Sequence, residues 1–305
     1  MTGKGKKVQR SDVETPLSPP SKNKRRKTSA TADAGGPSSS PSTSKVKKTY
    51  AKVVTCKRRG EKQLQETEPP PKFPSLNTRT TPASFHDSLR KLNDAQKQAV
   101  IDIGFGSILN LKVKKLPARL AFWILENFDE RSCELELAGG IKVQITEDDV
   151  YRVYGFPKGS EIIPNFERTS NNAMCLEWSL FFGFASREKI KIGAVLSEML
   201  NCSTGGSWFK RHFMIAMAHS LIESCTSGTV HPYILRCLEN VTTLRNWNWG
   251  EYVLRSLIDH KKSWIGDEDK VFAGPSLFIV LFYVDRCQIH RTDCNTPIFP
   301  NRISR

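Results

Sequence analysis

The stretch Cys133-Glu134-Leu135-Glu136-Leu137-Ala138-Gly139-Gly140-Ile141-Lys142-Val143-Gln144-Ile145-Thr146-Glu147-Asp148-Asp149-Val150-Tyr151-Arg152-Val153-Tyr154-Gly155-Phe156-Pro157 changes its periodicity halfway along. Cys133, Leu135 and Leu137 alternate with Glu134 and Glu136. After a turn at Ala138-Gly139 or Gly139-Gly140, Ile141, Val143 and Ile145 alternate with Lys142 and Gln144. A period of two gives each strand one apolar and one wet face, so the segment predicts a β-hairpin. From Thr146 onward the signals become helical. Glu147, Asp148 and Asp149 suit the positive end of a helix that Thr146 caps. Gly155 ends that helix and Pro157 prevents its continuation.

On either side of this segment the helical period dominates. Asn93-Asp94-Ala95-Gln96 reads as a capping box, opening a helix that turns Ala99, Val100 and Ile103 inward and stops at Gly104. Leu116, Leu120, Trp123, Ile124 and Phe128 repeat at three-to-four spacing, which predicts a helix from Leu116 to Phe128 with Pro117 in its first turn. Further helices are expected over 187–201, 207–226, 248–264 and 275–286, with a short one from Pro232 to Cys237. Asn248-Trp249-Gly250-Glu251 caps the third of these, and Pro275 is placed at the first position of the last. Order is expected to begin near Phe85. The fold class is therefore mainly α: a helical domain of six to eight helices with one small β-hairpin, over about residues 81–290, followed by a C-terminal tail, 291–305.

Residues 1–80 have a different composition. They carry 19 Lys and Arg against 6 Asp and Glu, whereas the remaining 225 residues carry 27 against 25. Of the net charge of +15, +13 therefore resides in the tail and +2 in the remainder, so the domain is close to neutral. Between Met1 and Tyr50 there is no aromatic residue, and Ser, Thr, Pro, Lys and Arg prevail. Such a segment buries too little apolar surface to offset its ordering entropy, so a disordered tail is expected. Within it, Lys22, Lys24, Arg25, Arg26 and Lys27 form one basic run; Lys45, Lys47 and Lys48, then Lys57, Arg58 and Arg59, form two more. Basic runs flanked by Ser and Pro suit the acidic groove of a nuclear import receptor, and Lys22, Lys24, Arg25, Arg26, Lys27, Lys47, Lys48, Lys57, Arg58 and Arg59 are assigned as nuclear-localisation residues. The alternative is a solvated tail with non-specific affinity for nucleic acid. A near-neutral domain argues against a large nucleic-acid face on the folded part, although it leaves room for a local patch.

Three further classes are argued against. The polar N-terminus, MTGKGKKVQR, has no apolar core of a secretion signal, so the eight cysteines are expected to be reduced. The longest apolar run, Leu277 to Val284, is far short of the roughly 20 residues of a membrane span. No Gly-rich phosphate loop is present: Gly104-Phe105-Gly106 and Gly205-Gly206 lack the lysine and the strand–loop–helix context.

Metal and acid–base chemistry fare no better. His212 and His219 share a helix face but lie about 10.5 Å apart along the axis, too far to share an ion; they read as histidines at the edge of a packed face. Cys287, His290 and Cys294 have the spacing C-x2-H-x3-C, with Asp293 or His260 as the nearest fourth ligand. A structural zinc site needs four, so no metal site and no cofactor is assigned. A Cys/His nucleophile pair is not recognisable from sequence, because with eight Cys and six His some pair is always available.

Several blocks do resemble a known family. They are Gly106 to Pro117; Phe122-Trp123 with Asn127-Phe128-Asp129; Ile141 to Gly159; Trp208 to Phe213; Leu221 to Ser224; Asn246 to Trp249; and Gly274-Pro275 with Leu281 to Arg286. In this order they resemble the helical N-terminal region of plant, transposon-derived (Mutator-like) proteins that carry a ubiquitin-like-protease (SUMO-protease-type) domain downstream. More distantly they are similar to the "aminotransferase-like" plant mobile domain, although no lysine context for pyridoxal phosphate is seen. The resemblance implies a His-Asp-Cys peptidase domain beyond this region and lends no catalytic residue to any position here.

The expectation is therefore a non-catalytic nuclear protein or interaction domain of transposon origin, with unidentified protein partners and non-specific DNA affinity from the tail. Two alternatives stand beside it. One is a truncated accessory region of a ubiquitin-like-specific cysteine protease; the other is a DNA-binding module proper.

Overall fold

The computed structural model describes residues 74–79, 81–137, 140–165, 173–183, 190–225, 229–230 and 232–289. Among these there are nine α-helices and one small three-stranded antiparallel sheet, so the chain is mainly α as its sequence implies. The helices are α1 (Ala83–Leu89), α2 (Asp94–Asp102), α3 (Ala118–Glu126), α4 (Glu147–Tyr154), α5 (Ala173–Phe181), α6 (Ile192–Asn201), α7 (Ser207–Leu221), α8 (Trp249–Trp264) and α9 (Ser276–Ile289). Short 3-10 turns lie at Gly106–Asn110, Pro232–Cys237 and Leu244–Asn246. The assigned nuclear-localisation residues, and with them nearly all of the expected tail, lie outside the described residues, as does 291–305.

The domain begins earlier than its sequence suggests. Leu76 is buried and its amide donates to the Ala118 carbonyl (3.0 Å), while the Phe272 amide donates to the Asn77 carbonyl (2.9 Å). Residues 74–79 are thus part of the folded unit and not of the tail, which the sequence places up to residue 80. Their Pro, Ser, Asn and Thr content is that of a loop, and only a tertiary contact distinguishes them.

The hairpin is present, but a third strand joins it. β1 (Phe128–Asp129), β2 (Glu134–Glu136) and β3 (Lys142–Gln144) pair in that order, with Phe128 opposite Leu135 and Leu135 opposite Val143. Phe128 and Leu135 are buried, and Val143 half-buried, on one face; Glu136, Lys142 and Gln144 face water. The helix expected to run to Phe128 stops two residues sooner. The Asn127 side chain donates to the Trp123 carbonyl (2.8 Å), and the chain then turns into β1. Asp129 accepts from the Arg131 amide and the Ser132 hydroxyl, closing the turn that returns it as β2, with Cys133 in the left-handed region. Prolines also sit one place outside their expected positions. Pro117 precedes α3, and the Pro275 carbonyl accepts from the Ile279 amide ahead of α9.

Helix α7 is the axis of the core. Ten of its residues are buried, from Phe209 to Leu221, on nearly every side. A helix apolar all round belongs inside. Phe213 of α7 packs against Phe85 of α1 and against Phe105, and Phe105 meets both Phe156 and Trp249. Tyr154 extends this chain of rings to Phe278 of α9, and its hydroxyl donates to the Leu221 carbonyl. Trp249 is thus a core residue, and Trp264 is buried against Phe122 and Phe272.

Two capping residues hold distant elements as well as their own helices. Gln96 accepts from the Asn93 amide, completing the box at α2. Its amide group also donates to the carbonyls of Met199, Leu200 and Cys202, clasping the end of α6. Asp149 closes the box at α4 with Thr146 and also binds Arg152 and Arg286, the latter from α9. Another long-range fit joins two of the sequence blocks named above. Gly159 lies against the backbone of Asn246 and Trp247, where an added Cβ would come within 2.0 Å of the Asn246 carbonyl.

Candidate functional site

Among the described residues, a thiol and an imidazole come together at the start of α7. Gly206 precedes this helix and Gly205 has a positive φ of 68°, so the chain turns sharply between α6 and α7. That turn lays Cys202, at the end of α6, beside His212. The Cys202 Sγ is 3.9 Å from His212 Nδ1.

The surroundings of the pair are aromatic. Phe181, Phe182 and Trp208 stand around the imidazole with ring centroids 5.2, 5.7 and 5.9 Å away. Phe181 stacks on Trp208 at 5.3 Å. His212 is fully buried, and among the described residues its Nε2 has no hydrogen-bond partner. Burial, assisted by the adjacent Arg211 charge, lowers its pKa from 6.5 to about 4. Burial, and then the Glu198 charge, pushes the Cys202 thiol above its usual range. Both shifts favour the neutral pair. A thiolate–imidazolium couple needs the opposite arrangement: an electropositive site for sulfur and an orienting acceptor on the far nitrogen of the ring. The chemistry available here is therefore that of a weak S–H to nitrogen hydrogen bond inside an apolar shell.

The outer side of this shell reaches the surface. On α5, Leu176, Leu180 and Phe181 are 52%, 57% and 44% exposed, while Cys175 and Trp178 of the same helix are buried. The sequence shows little of this helix. Ala173-Met174-Cys175-Leu176-Glu177-Trp178-Ser179-Leu180-Phe181 is apolar apart from Glu177 and Ser179, so it offers no polar stripe by which a helical period is recognised.

The other sequence candidates are dispersed. His219 is buried on α7, one helical heptad from His212, and both lie within the core instead of at the edge of a packed face. The difference arises because α7 is covered on nearly every side. Cys287 is half-buried near the end of α9; His290, Asp293 and Cys294 lie outside the described residues. His260 packs its ring on Phe272 and its Nδ1 lies 2.7 Å from the Ser256 carbonyl oxygen. Arg211 directs its guanidinium to the Leu238 and Glu239 carbonyls, so α7 does not present it as a groove-reading side chain.

A family described as a domain of unknown function (DUF8566) matches residues 78–280. Neither a curated protein nor a solved structure matches the chain.

Proposed function

The chain belongs to the DUF8566 family, and from that premise we propose that it is a non-catalytic nuclear protein of transposon origin, acting through contacts with other molecules. The observation that carries this reading is the division of charge. Residues 1–73 hold 18 Lys and Arg against 6 acidic residues, and the folded part is close to neutral. A dense positive segment attracts an import receptor and the phosphates of nucleic acid without sequence preference. The neutral Cys202–His212 pair supports a role without turnover, since neither group is tuned toward nucleophilic work. The exposed face of α5 supports contact with a protein partner, because clustered solvent-facing apolar side chains mark interaction surfaces. The plant and transposon origin rests on the blocks of sequence resemblance.

A fluorescent fusion tests the nuclear part. Deleting residues 22–59 is expected to abolish nuclear enrichment, and undiminished accumulation would overturn it. Site-resolved alkylation tests the non-catalytic part. At neutral pH, Cys202 is expected to react with iodoacetamide no faster than a free cysteine. A rate many times faster that collapses in His212→Phe would favour the accessory-protease alternative.

A further inference from the structure

The near-neutral charge of the folded part conceals an uneven distribution. Residues 74–119 hold eight Lys and Arg against three acidic residues, whereas residues 120–163 hold four against nine. The structure gathers part of the basic excess on one side. The segment that leads into α3 runs back along α1. Leu116 and Pro82, at the start of α1, line the same small cavity. Two residues earlier, Lys114 Nζ pairs with Asp87 Oδ1 at 2.7 Å, in the last turn of α1. Extending this antiparallel run at about 3.3 Å per residue, against about 1.5 Å per residue along the helix, sets Lys112 level with the end of α1, where Arg90 and Lys91 follow. Leu111 is buried and Val113 half-buried beneath, so Lys112 and Lys114 turn outward.

The outcome is a ridge of Arg90, Lys91, Lys112, Lys114 and Lys115, all exposed, with Asp87 as the acidic residue among them. Among the described residues, Arg90, Lys91, Lys112 and Lys115 have no carboxylate within ion-pair distance; the ion pair on the ridge is that of Lys114. Like charges held together without counter-charges raise a local positive potential, and a polyanion that replaces their counterions relieves it.

We propose that this ridge is a second contact site for the phosphate backbone of nucleic acid, on the folded part itself. The inference rests on the reading above, that the chain binds nucleic acid through its basic tail. Phosphate contacts need long cationic side chains free to reach outward, without base-reading geometry, and the ridge supplies those. A membrane surface fits less well, because membrane-seeking basic patches carry exposed apolar side chains beside the charges. Among the described residues, the large exposed apolar side chains lie on other segments, such as α5 and the Ile162 loop, and not along α1 or 111–119.

The test is binding of a fluorescent duplex by the full chain across a salt series. The variants are Lys112→Ala/Lys114→Ala/Lys115→Ala, Arg90→Ala/Lys91→Ala, Lys142→Ala as a control on the acidic side, and Lys24→Ala/Arg25→Ala/Arg26→Ala/Lys27→Ala in the tail. Matching thermal midpoints establish that each variant is folded. The triple ridge variant is expected to make the slope of log K against log salt shallower by roughly 2–3, since each neutralised phosphate contributes about 0.9. The double variant is expected to act in the same direction, and Lys142→Ala to act little. If both ridge variants bind like wild type while the tail variant loses affinity, the tail reading stands and the ridge proposal is wrong. If the wild-type chain does not bind the duplex, both fail. Ridge-dependent capture of anionic phosphatidylserine vesicles or of a polyglutamate peptide, with duplex binding unchanged, would also overturn the proposal.

Discussion

Gly159 has no room for a methyl group. Its missing Cβ would lie 2.0 Å from the Asn246 carbonyl and 2.4 Å from the Trp247 nitrogen, and a backbone obstacle cannot rotate away. Gly159→Ala should destabilise the domain by about 3 kcal/mol, at the upper end of the usual overpacking range. Gly193, in the first turn of α6, has open space around it, so Gly193→Ala should raise stability by about 0.5 kcal/mol. Urea midpoints measured side by side check both signs. His212 gives a pH signature. Its folded pKa of about 4 lies below its ordinary 6.5, so the native state holds the neutral ring that the unfolded chain would protonate. The stability this confers is complete above about pH 6.5 and is lost as pH falls toward 4, up to roughly 3 kcal/mol. Denaturation midpoints at pH 7 and pH 4.5 should therefore differ more for wild type than for His212→Phe. An equal drop in the two proteins would mean that His212 does not titrate in this way.

Asp149 connects the scale of residues to that of elements, because it caps α4 and grips α9 through Arg286. Arg286 keeps part of its side chain in water, at 19% exposure, whereas Asp149 is 3% exposed. Removing Arg286 should cost about 2 kcal/mol, less than the 3–5 of a fully buried broken pair. Asp149→Ala should cost more, since the cap goes as well. A double-mutant cycle should show coupling; strictly additive losses would mean that the two helices are held by packing alone. The cap at Thr146, followed by an acidic turn that includes Asp149, was legible, as was the box at Asn93 and Gln96. Their long-range partners were not, because nothing local to Gln96 announces the carbonyls of Met199, Leu200 and Cys202. The amphipathic helix α3 stood out by its stripe, and α8 by the capping residues Asn248 and Glu251. α1 is too short to repeat a pattern, and α5 is apolar apart from Glu177 and Ser179, so period reasoning passed over both. The Cys202–His212 approach is likewise a product of the α6–α7 turn, and nothing local to Gly205-Gly206 announces what that turn brings together.

At the scale of the whole molecule, a bulk charge count misleads. The folded part is nearly neutral because a basic stretch and an acidic stretch cancel, and the proposed ridge beside the end of α1 emerges only when the two are placed in space. On the proposed reading the chain engages nucleic acid electrostatically, with its tail as the principal contributor. The most direct measurement compares the salt dependence of duplex binding for the full chain and for its Lys24→Ala/Arg25→Ala/Arg26→Ala/Lys27→Ala variant. Wild type should bind without sequence preference at ~10⁻⁴–10⁻⁶ M near physiological salt, and the variant's log–log slope should be shallower by roughly 3–4. Tight binding to one sequence, with a shallow salt slope that the tail variant leaves unchanged, would contradict the account.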